Sequence, residues 1–423
     1  MSLKPLASLS VLAVIGLAPL ASAQPVPQET YLKESDLAKV GKAIAEYFEA
    51  LDSKDKILEA EGDFAEALDK AAKGLRKAPI DELLASPADM GRALWLSFNY
   101  AKKRLKKGKM EDITYKGGFF SDTALEYSLW VPSKYDAKKN AYPLIIAIPD
   151  AAETTSQHLI ERWESSTIRD GALLVSPKMP EDEAQWTENP GIAAVLVTMR
   201  EVTNTAAVDF DRIYLAGRGA GVKAAVAIAE KFPHRFAGVI GRTGDAGATS
   251  PKNFSNLPTM FAGGGGEASA FQKAADEMGW KNATVSAEAK EDDIWNWIQD
   301  NPRKAYPQEV TLHPGTPFPN RAYWLEVPPG SGSADSKVHA KIDTEANSVT
   351  IDATDLAQVD LYLTDALLDL SKPIKVITNG TEVMESAPRS KKQFLSMAYK
   401  ASIDPAGIYV ARISVTVPAP ADK

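Results

Sequence analysis

Cysteine is absent from all 423 residues. That excludes a disulfide framework, a thiolate nucleophile, a Cys-ligated metal and a lipid anchor on cysteine. Histidine is scarce: His158, His234, His313 and His339 are the four that could act as a base or ligand. No His/Asp spacing has the form of a metal-ligand set, so neither a metal nor a cofactor is expected. Beyond the N-terminus there is no run of about 18 apolar residues, the length that a spanning helix needs. Excess positive charge is also lacking. The formal net charge of −8 argues against a nucleic-acid partner, for which a basic domain is expected. The one basic cluster, residues 102–109, reads as a solvated helix end.

What is present begins with an export signal. Lys4 is followed by an apolar run from Leu6 to Leu20, then Ala21-Ser22-Ala23 before Gln24. A charged start, a short apolar stretch and a small-x-small site describe a secretory signal cleaved after Ala23. The expectation is a secreted or periplasmic bacterial protein with no stable membrane insertion once residues 1–23 are gone. With 44% hydrophobic and 25% charged residues, the rest has an ordinary globular composition.

Residues 24–111 read as a helical extension. Leu37, Val40, Ile44, Tyr47, Phe48 and Leu51 recur at helical spacing, which gives one apolar stripe to pack on the next domain. Amphipathic stretches at 57–75 and 90–105 follow. From residue 112 the texture alternates. Short apolar strands at 125–131, 143–148, 173–175, 212–216, 239–240 and 259–261 are separated by helical stretches at 157–164, 191–204, 222–231 and 269–278. A helix holding Trp295 and Trp297 closes the series. Buried strands alternating with helices indicate a doubly wound, mostly parallel α/β sheet, here over 112–327. The Pro/Gly/Ser-rich stretch 328–335 reads as a linker. Strands at 338–342, 348–351, 359–363, 374–377 and 408–417, with a tight-turn signal at Asn379-Gly380, make 336–423 a small β-sandwich-like domain.

The chemistry-bearing position is Gly217-Arg218-Gly219-Ala220-Gly221, between the strand at 212–216 and an alanine-rich helix. Strand, Gly-bounded turn and helix are the context of a nucleophile elbow, in which Ser sits on a strained turn. Here the central residue is Gly219, which has no hydroxyl. Read instead as a dinucleotide fingerprint, Gly219-x-Gly221-x-x-Ala224 lacks the acidic residue expected after the next strand, where Arg242 stands. The glycine run 263–266 lacks the Lys-Ser/Thr of a phosphate loop and reads as a flexible turn. Glu181, Asp182, Glu183 and Glu188 near Trp186, like Glu291, Asp292 and Asp293 near Trp295, read by default as solvated loops; sugar binding or a glycosidase pair is the alternative, which spacing in sequence does not establish.

Residues 120–300 resemble the α/β-hydrolase superfamily, in particular secreted carboxylesterases of the polyhydroxybutyrate-depolymerase and feruloyl-esterase type. The resemblance rests on 127–136 (Tyr-Ser-Leu-Trp-Val-Pro-Ser-Lys-Tyr-Asp), 142–146, 209–215 running into the elbow, and 232–237 after its helix. It implies a Ser–His–acid site, and the matching positions depart from one. Gly219 stands at the nucleophile. Pro149-Asp150-Ala151 replaces the His-Gly-Gly whose amides help hold an oxyanion, while the Ala220 amide keeps the other half. Glu267, beyond the glycine run, is the nearest remnant of the acid. Residues 288–293 contain no His. Loss of triad members leaves only roughly 10³–10⁴-fold catalysis over water, and a damaged oxyanion hole loses about 10²–10³ more.

Two functions follow as expectations. The first is an exported pseudo-esterase that binds a small-molecule, ester, peptide or glycan ligand, or acts as a scaffold. The second is a carboxylic-ester hydrolase or peptidase-like serine hydrolase with a displaced site, using Ser165, Ser166 or Thr243.

Overall fold

The computed structural model describes residues 30–51, 53–150, 153–180, 185–247, 249–315, 317–400 and 403–418. The expected signal segment lies outside them. Three helices come first: α1 (Glu34–Ala50), α2 (Lys54–Ala72) and α3 (Pro87–Ser97). Ser86 caps α3 by accepting the Asp89 N–H, and Pro87 sits in its first turn, where a missing N–H costs nothing. The helix expected to reach residue 105 stops at Ser97, because Asn99 takes a left-handed conformation (φ 52°). The basic cluster begins at Lys102, the last residue of a short 3-10 helix (Tyr100–Lys102), and the chain after it bridges to the sheet at Lys107 and Val131.

The central sheet has eight strands: β1 (Met110–Gly117), β2 (Phe120–Trp130), β3 (Tyr142–Ile148), β4 (Leu173–Pro177), β5 (Val208–Arg218), β6 (Gly238–Arg242), β7 (Thr259–Ala262) and β8 (Ala283–Ser286), in the order β1-β2-β4-β3-β5-β6-β7-β8. From β4 to β8 the pairing is parallel, and β2 joins β4 antiparallel. Parallel strands must be covered on both faces. Helices α4 (Thr155–Arg162), α5 (Ser166–Gly171), α6 (Asn189–Thr205), α7 (Ala220–Lys231), α8 (Gly266–Glu277) and α9 (Glu291–Asp300) supply the cover. Two separate cores record the two faces, one holding Ile146, Leu215 and Val222, the other Ile145, Tyr214 and Ile298. The doubly wound α/β reading is what the structure has.

The C-terminal part contains a four-stranded and a five-stranded sheet. The first runs β10 (Arg321–Ala322), β11 (Leu325–Glu326), β14 (Gln358–Leu363), β17 (Ala411–Thr416). The second runs β16 (Thr381–Glu385), β15 (Ile374–Thr378), β13 (Ser348–Leu356), β12 (Gly332–Asp343), β9 (Glu309–Leu312). Asn379 and Gly380 both take positive φ between β15 and β16. A helix that the sequence reading lacked, α10 (Lys391–Lys400), and the early strand β9 belong to this part as well.

The N-terminal helices do not lean chiefly on the α/β sheet. Leu37, Ile44, Phe64 and Leu94 share one apolar cluster with Leu312 and Val349 of the five-stranded sheet, Trp324 between β10 and β11, and Phe394 of α10. Phe64 stacks on Phe394 at 5.6 Å. Chain ends distant in sequence thus make one body beside the α/β unit.

Arg303 joins the two. Its guanidinium donates to both carboxylate oxygens of Asp404 (2.6 and 2.9 Å), to Asp211 on β5 (3.1 Å) and to the His234 carbonyl (2.8 Å). Burial alone would raise the Asp404 carboxyl; the charge and hydrogen bonds of Arg303 outweigh it and hold that group below its usual range. Replacing one partner of a buried pair strands the other charge, at a cost of roughly 3–5 kcal/mol. Arg303→Leu should therefore lower the unfolding free energy in urea by about that much. A loss under about 1 kcal/mol would show that the clamp is dispensable.

Candidate functional site at the elbow

Strand β5 ends at Arg218, α7 begins at Ala220, and Gly219 between them has φ 53° and ψ −125°. A residue with a Cβ is strained there. A strained turn between strand and helix is the backbone setting in which an elbow would place its Ser, and here the residue on it is glycine. The flanking glycines have a steric reason independent of chemistry. A Cβ on Gly217 would strike the Gly221 carbonyl, and one on Gly221 would strike the carbonyls of Ile148 and Pro149.

The space above Gly219 is filled. A Cβ built there would fall on the Asp150 carboxylate, 2.5 Å from its Cγ and 2.9 Å from its Oδ1. Asp150 follows β3, and its Oδ1 accepts the Ala220 N–H (3.3 Å). An anionic side chain of the protein therefore sits on the amide that would polarise a carbonyl in an esterase. A carboxylate is well placed at a helix start. Ala151 and Ala152, the other expected half of the oxyanion site, lie outside the described residues.

Behind Asp150 is a charge cluster. Glu153 accepts from Arg218 (2.6 Å), Arg162 (3.1 Å) and the Asp150 N–H (3.4 Å), and its second oxygen meets His158 Nδ1 (3.1 Å). Burial would raise the Glu153 carboxyl; hydrogen bonds from His158 and Arg162 outweigh it and lower the pKa. His158 is buried on α4. Desolvation lowers its pKa against the pull of Glu153, so its ring is neutral and Nδ1–H donates to the carboxylate. His158 Nε2 is enclosed without a partner among the described residues. It is a buried packing residue.

The other sequence candidates are dispersed. Glu267, in the first turn of α8, accepts the Gly247 N–H (3.0 Å) and braces a loop. Residues 288–293, where the resemblance asks for a His, start α9. Glu291 pairs with Arg242 (2.7 Å) and accepts the Ser165 N–H (2.5 Å), and Asp292 accepts the Ser165 hydroxyl (2.9 Å). Arg242 also lies over the Trp163 ring at 4.3 Å. Ser165, Ser166 and Thr243 line one cavity of about 610 Å³, and no histidine lines it. His234 is half-buried, with desolvation of its ring depressing its pKa, His313 is pushed to about 4 by burial, and His339 meets Thr311 and Glu309. None reaches a candidate nucleophile. Glu188 ends at the start of α6 without capping it, and residues 181–183 lie outside the described residues.

A second cavity, of about 810 Å³, opens beside the elbow. Ala220, Lys223 and Ala224 of α7 form one side; Asp150, Glu153 and Thr154–Ser156 form another. Asp112, Thr114, Glu126 and Tyr127 of β1 and β2, and Met179, Gln185 and Trp186 after β4, complete it. Sequence singled out Trp186, but not this grouping, and had no spacing that could show Asp150 covering Gly219.

An α/β unit of this topology with an elbow after β5 marks a class. Distant structural similarity to α/β-hydrolase esterases extends over about half the chain. No protein-family model matches the sequence, and no curated protein does. Among solved structures, a thermostable esterase has 18% identity and a TM-score of 0.40 over 46% of this chain and 63% of its own. The chain thus spans just under two thirds of that esterase. A ferulic acid esterase from the anaerobic fungus Anaeromyces mucronatus has 11% identity and a TM-score of 0.36, over 48% of this chain and 94% of its own. An S-formylglutathione hydrolase from Agrobacterium tumefaciens has 13% and 0.37, over 47% and 98%. Identities and scores this low concern the fold alone.

Two measurements test this geometry. Gly219→Ala should cost about 1–3 kcal/mol in backbone strain plus the clash with Asp150. In the Gly219→Ala/Asp150→Ala double variant the clash is gone, so a coupling of roughly 0.5–3 kcal/mol is expected. Strict additivity of the two single changes would remove the steric argument. The second concerns pH. The unfolded His158 takes up a proton as pH falls through about 6.5, whereas the folded ring, with its depressed pKa, does not. Its contribution is therefore complete above about pH 6.5 and is lost as pH falls below. In His158→Gln, the pH slope of stability between about pH 6.5 and 5 should shrink by up to one proton.

Proposed function

We propose that this chain is an exported, non-catalytic binding protein that keeps the elbow and neighbouring cavity of an α/β hydrolase and uses them to hold a ligand. The observation that carries the reading is the Asp150 carboxylate on the Ala220 amide, above a residue with no side chain. Catalysis of acyl transfer needs a nucleophile, a base within hydrogen-bond reach and donors left open for the developing oxyanion. At this elbow the nucleophile is Gly219, no histidine lines the adjoining cavity, and the remaining donor already has an anionic acceptor. The export half of the proposal rests on the Ala21-Ser22-Ala23 site. The displaced-site alternative has one observation in its favour, the Ser165 hydroxyl on Asp292; a carboxylate alone is a weak base for a hydroxyl.

The exported product, whose first residue should be Gln24 on N-terminal sequencing, is assayed with p-nitrophenyl acetate, butyrate and octanoate. Rates indistinguishable from buffer are expected. Turnover that disappears in Ser165→Ala would replace this reading with the displaced-site hydrolase. Turnover that survives Ser165→Ala but not Gly219→Ala, with folding intact, would place unforeseen chemistry at the elbow.

A further inference from the structure

The 810 Å³ cavity holds polar groups that the fold leaves unused. Trp186 is only 7% exposed and Tyr127 only 5%, and both line the cavity. Neither the Trp186 indole N–H nor the Tyr127 hydroxyl has a hydrogen-bond partner among the described residues, yet neither atom is among those sealed from solvent without one. Buried tryptophan and tyrosine normally satisfy their polar ends. Both donors are therefore open to solvent on residues that line the cavity, and can donate to a visitor that accepts a hydrogen bond.

Charge narrows the chemistry. Four carboxylates border the cavity against Lys178 and Lys223, which disfavours an anionic ligand. Two of the carboxylates are matched by cations and two carry neutral hydrogen-bond donors instead. Glu126 pairs with Lys178 (2.7 Å), Glu153 with Arg162 and Arg218, and Asp150 has the Ala220 amide. Asp112 accepts hydroxyl protons from Ser128 (2.5 Å) and Ser156 (2.9 Å). Carboxylates already engaged by hydroxyl donors can accept further ones, since each has about four lone-pair sites. The complementary ligand is uncharged, carries hydroxyls that both donate and accept, and has an apolar face for the aromatic rings.

We infer that the cavity beside the elbow binds a neutral polyhydroxylated ligand of saccharide type, with Trp186 as its principal contact. The inference rests on the reading that this cavity holds its ligand without turning it over. Trp186 supplies a flat apolar surface for the C–H face of a sugar ring and one N–H for a ring or hydroxyl oxygen. Asp112 supplies acceptance.

The experiment is titration calorimetry of the full mature protein with cellobiose, xylobiose, maltose and trehalose, beside benzoate and putrescine as charged probes. Saturable binding of at least one disaccharide is expected, weaker by about three- to ten-fold in Trp186→Phe, which keeps a ring and loses one hydrogen bond. Thr187→Val, which removes a hydroxyl at the same wall, is the second variant should Trp186→Phe fail to fold; His339→Asn, in the five-stranded sheet, should bind as the parent does. Binding of benzoate or putrescine with no disaccharide, binding of none, or disaccharide binding untouched by either cavity variant overturns the proposal. The ester assay separates the two readings: turnover would sink the non-catalytic one whatever the sugars do, and a silent assay with no sugar bound would sink only this one.

Discussion

Arg303 carries the largest mechanical responsibility in the molecule. Its guanidinium is shared between Asp211, inside the strand that ends at the elbow, and Asp404, in the loop before the last strand. The α/β sheet and the mixed helix-and-sheet body have separate apolar cores, joined where Trp95 and Phe98 pack against the α/β core and Phe98 stacks on Phe210; Arg303 adds a polar contact to that apolar one. Charged hydrogen bonds are directional and short, and a planar guanidinium fixes angles as well as distance. Around it Tyr306 receives Ile408 on its hydroxyl at 2.8 Å, and Tyr323 donates to the Asn256 carbonyl at 3.1 Å. The pair is buried, so it contributes registry between the bodies more surely than net stability.

The same strand links the clamp to the elbow. Asp211 holds β5 near its start and Gly219 turns the chain at its end. Every residue of β5 from Ile213 to Gly217 is buried between β3 and β6. The elbow is thus set on a rigid element, as a site needs to be, whether or not chemistry happens there. The glycines at 217 and 221 belong to this packing, through contacts that admit no Cβ. Their persistence in the motif is a statement about helix-on-strand distance. It carries no information on catalysis.

That distinction explains what was legible in the sequence. The continuous apolar runs of β3 and β4 and the helical stripes of α1 and α7 could be read, because burial on both faces or on one writes a period into the chain. Strand β1 was missed although exposed Asp112, Thr114 and Lys116 alternate with half-buried Ile113 and Tyr115; two apolar residues are a short signal beside the basic run that precedes them. Strand β16 is exposed or half-buried along its whole length and has no buried face to betray it. The union of α1–α3 with the C-terminal sheets was illegible for another reason: Phe64 and Phe394 look like ordinary core residues of two different units. At the site, the loss of Ser and His was plain from residue identity alone. The Asp150–Ala220 contact joins positions 70 apart and has no local signature.

That contact bears on why the proposed function pairs binding with the absence of turnover. A hydrolase keeps its oxyanion donors imperfectly satisfied in the ground state and completes them in the transition state, which is where the rate acceleration comes from. On the proposed reading, an internal carboxylate on the Ala220 amide spends that differential in the resting protein, and a bound ester would gain little by becoming tetrahedral. The same carboxylate lines the adjoining cavity, where it would disfavour product-like acids. In the proposed binding mode, recognition falls to the Trp186 indole and the Tyr127 hydroxyl, which, unlike donors of a transition-state site, would reward a ligand in its ground state. On that reading a single residue after β3, Asp150, sets the pocket for retention over turnover.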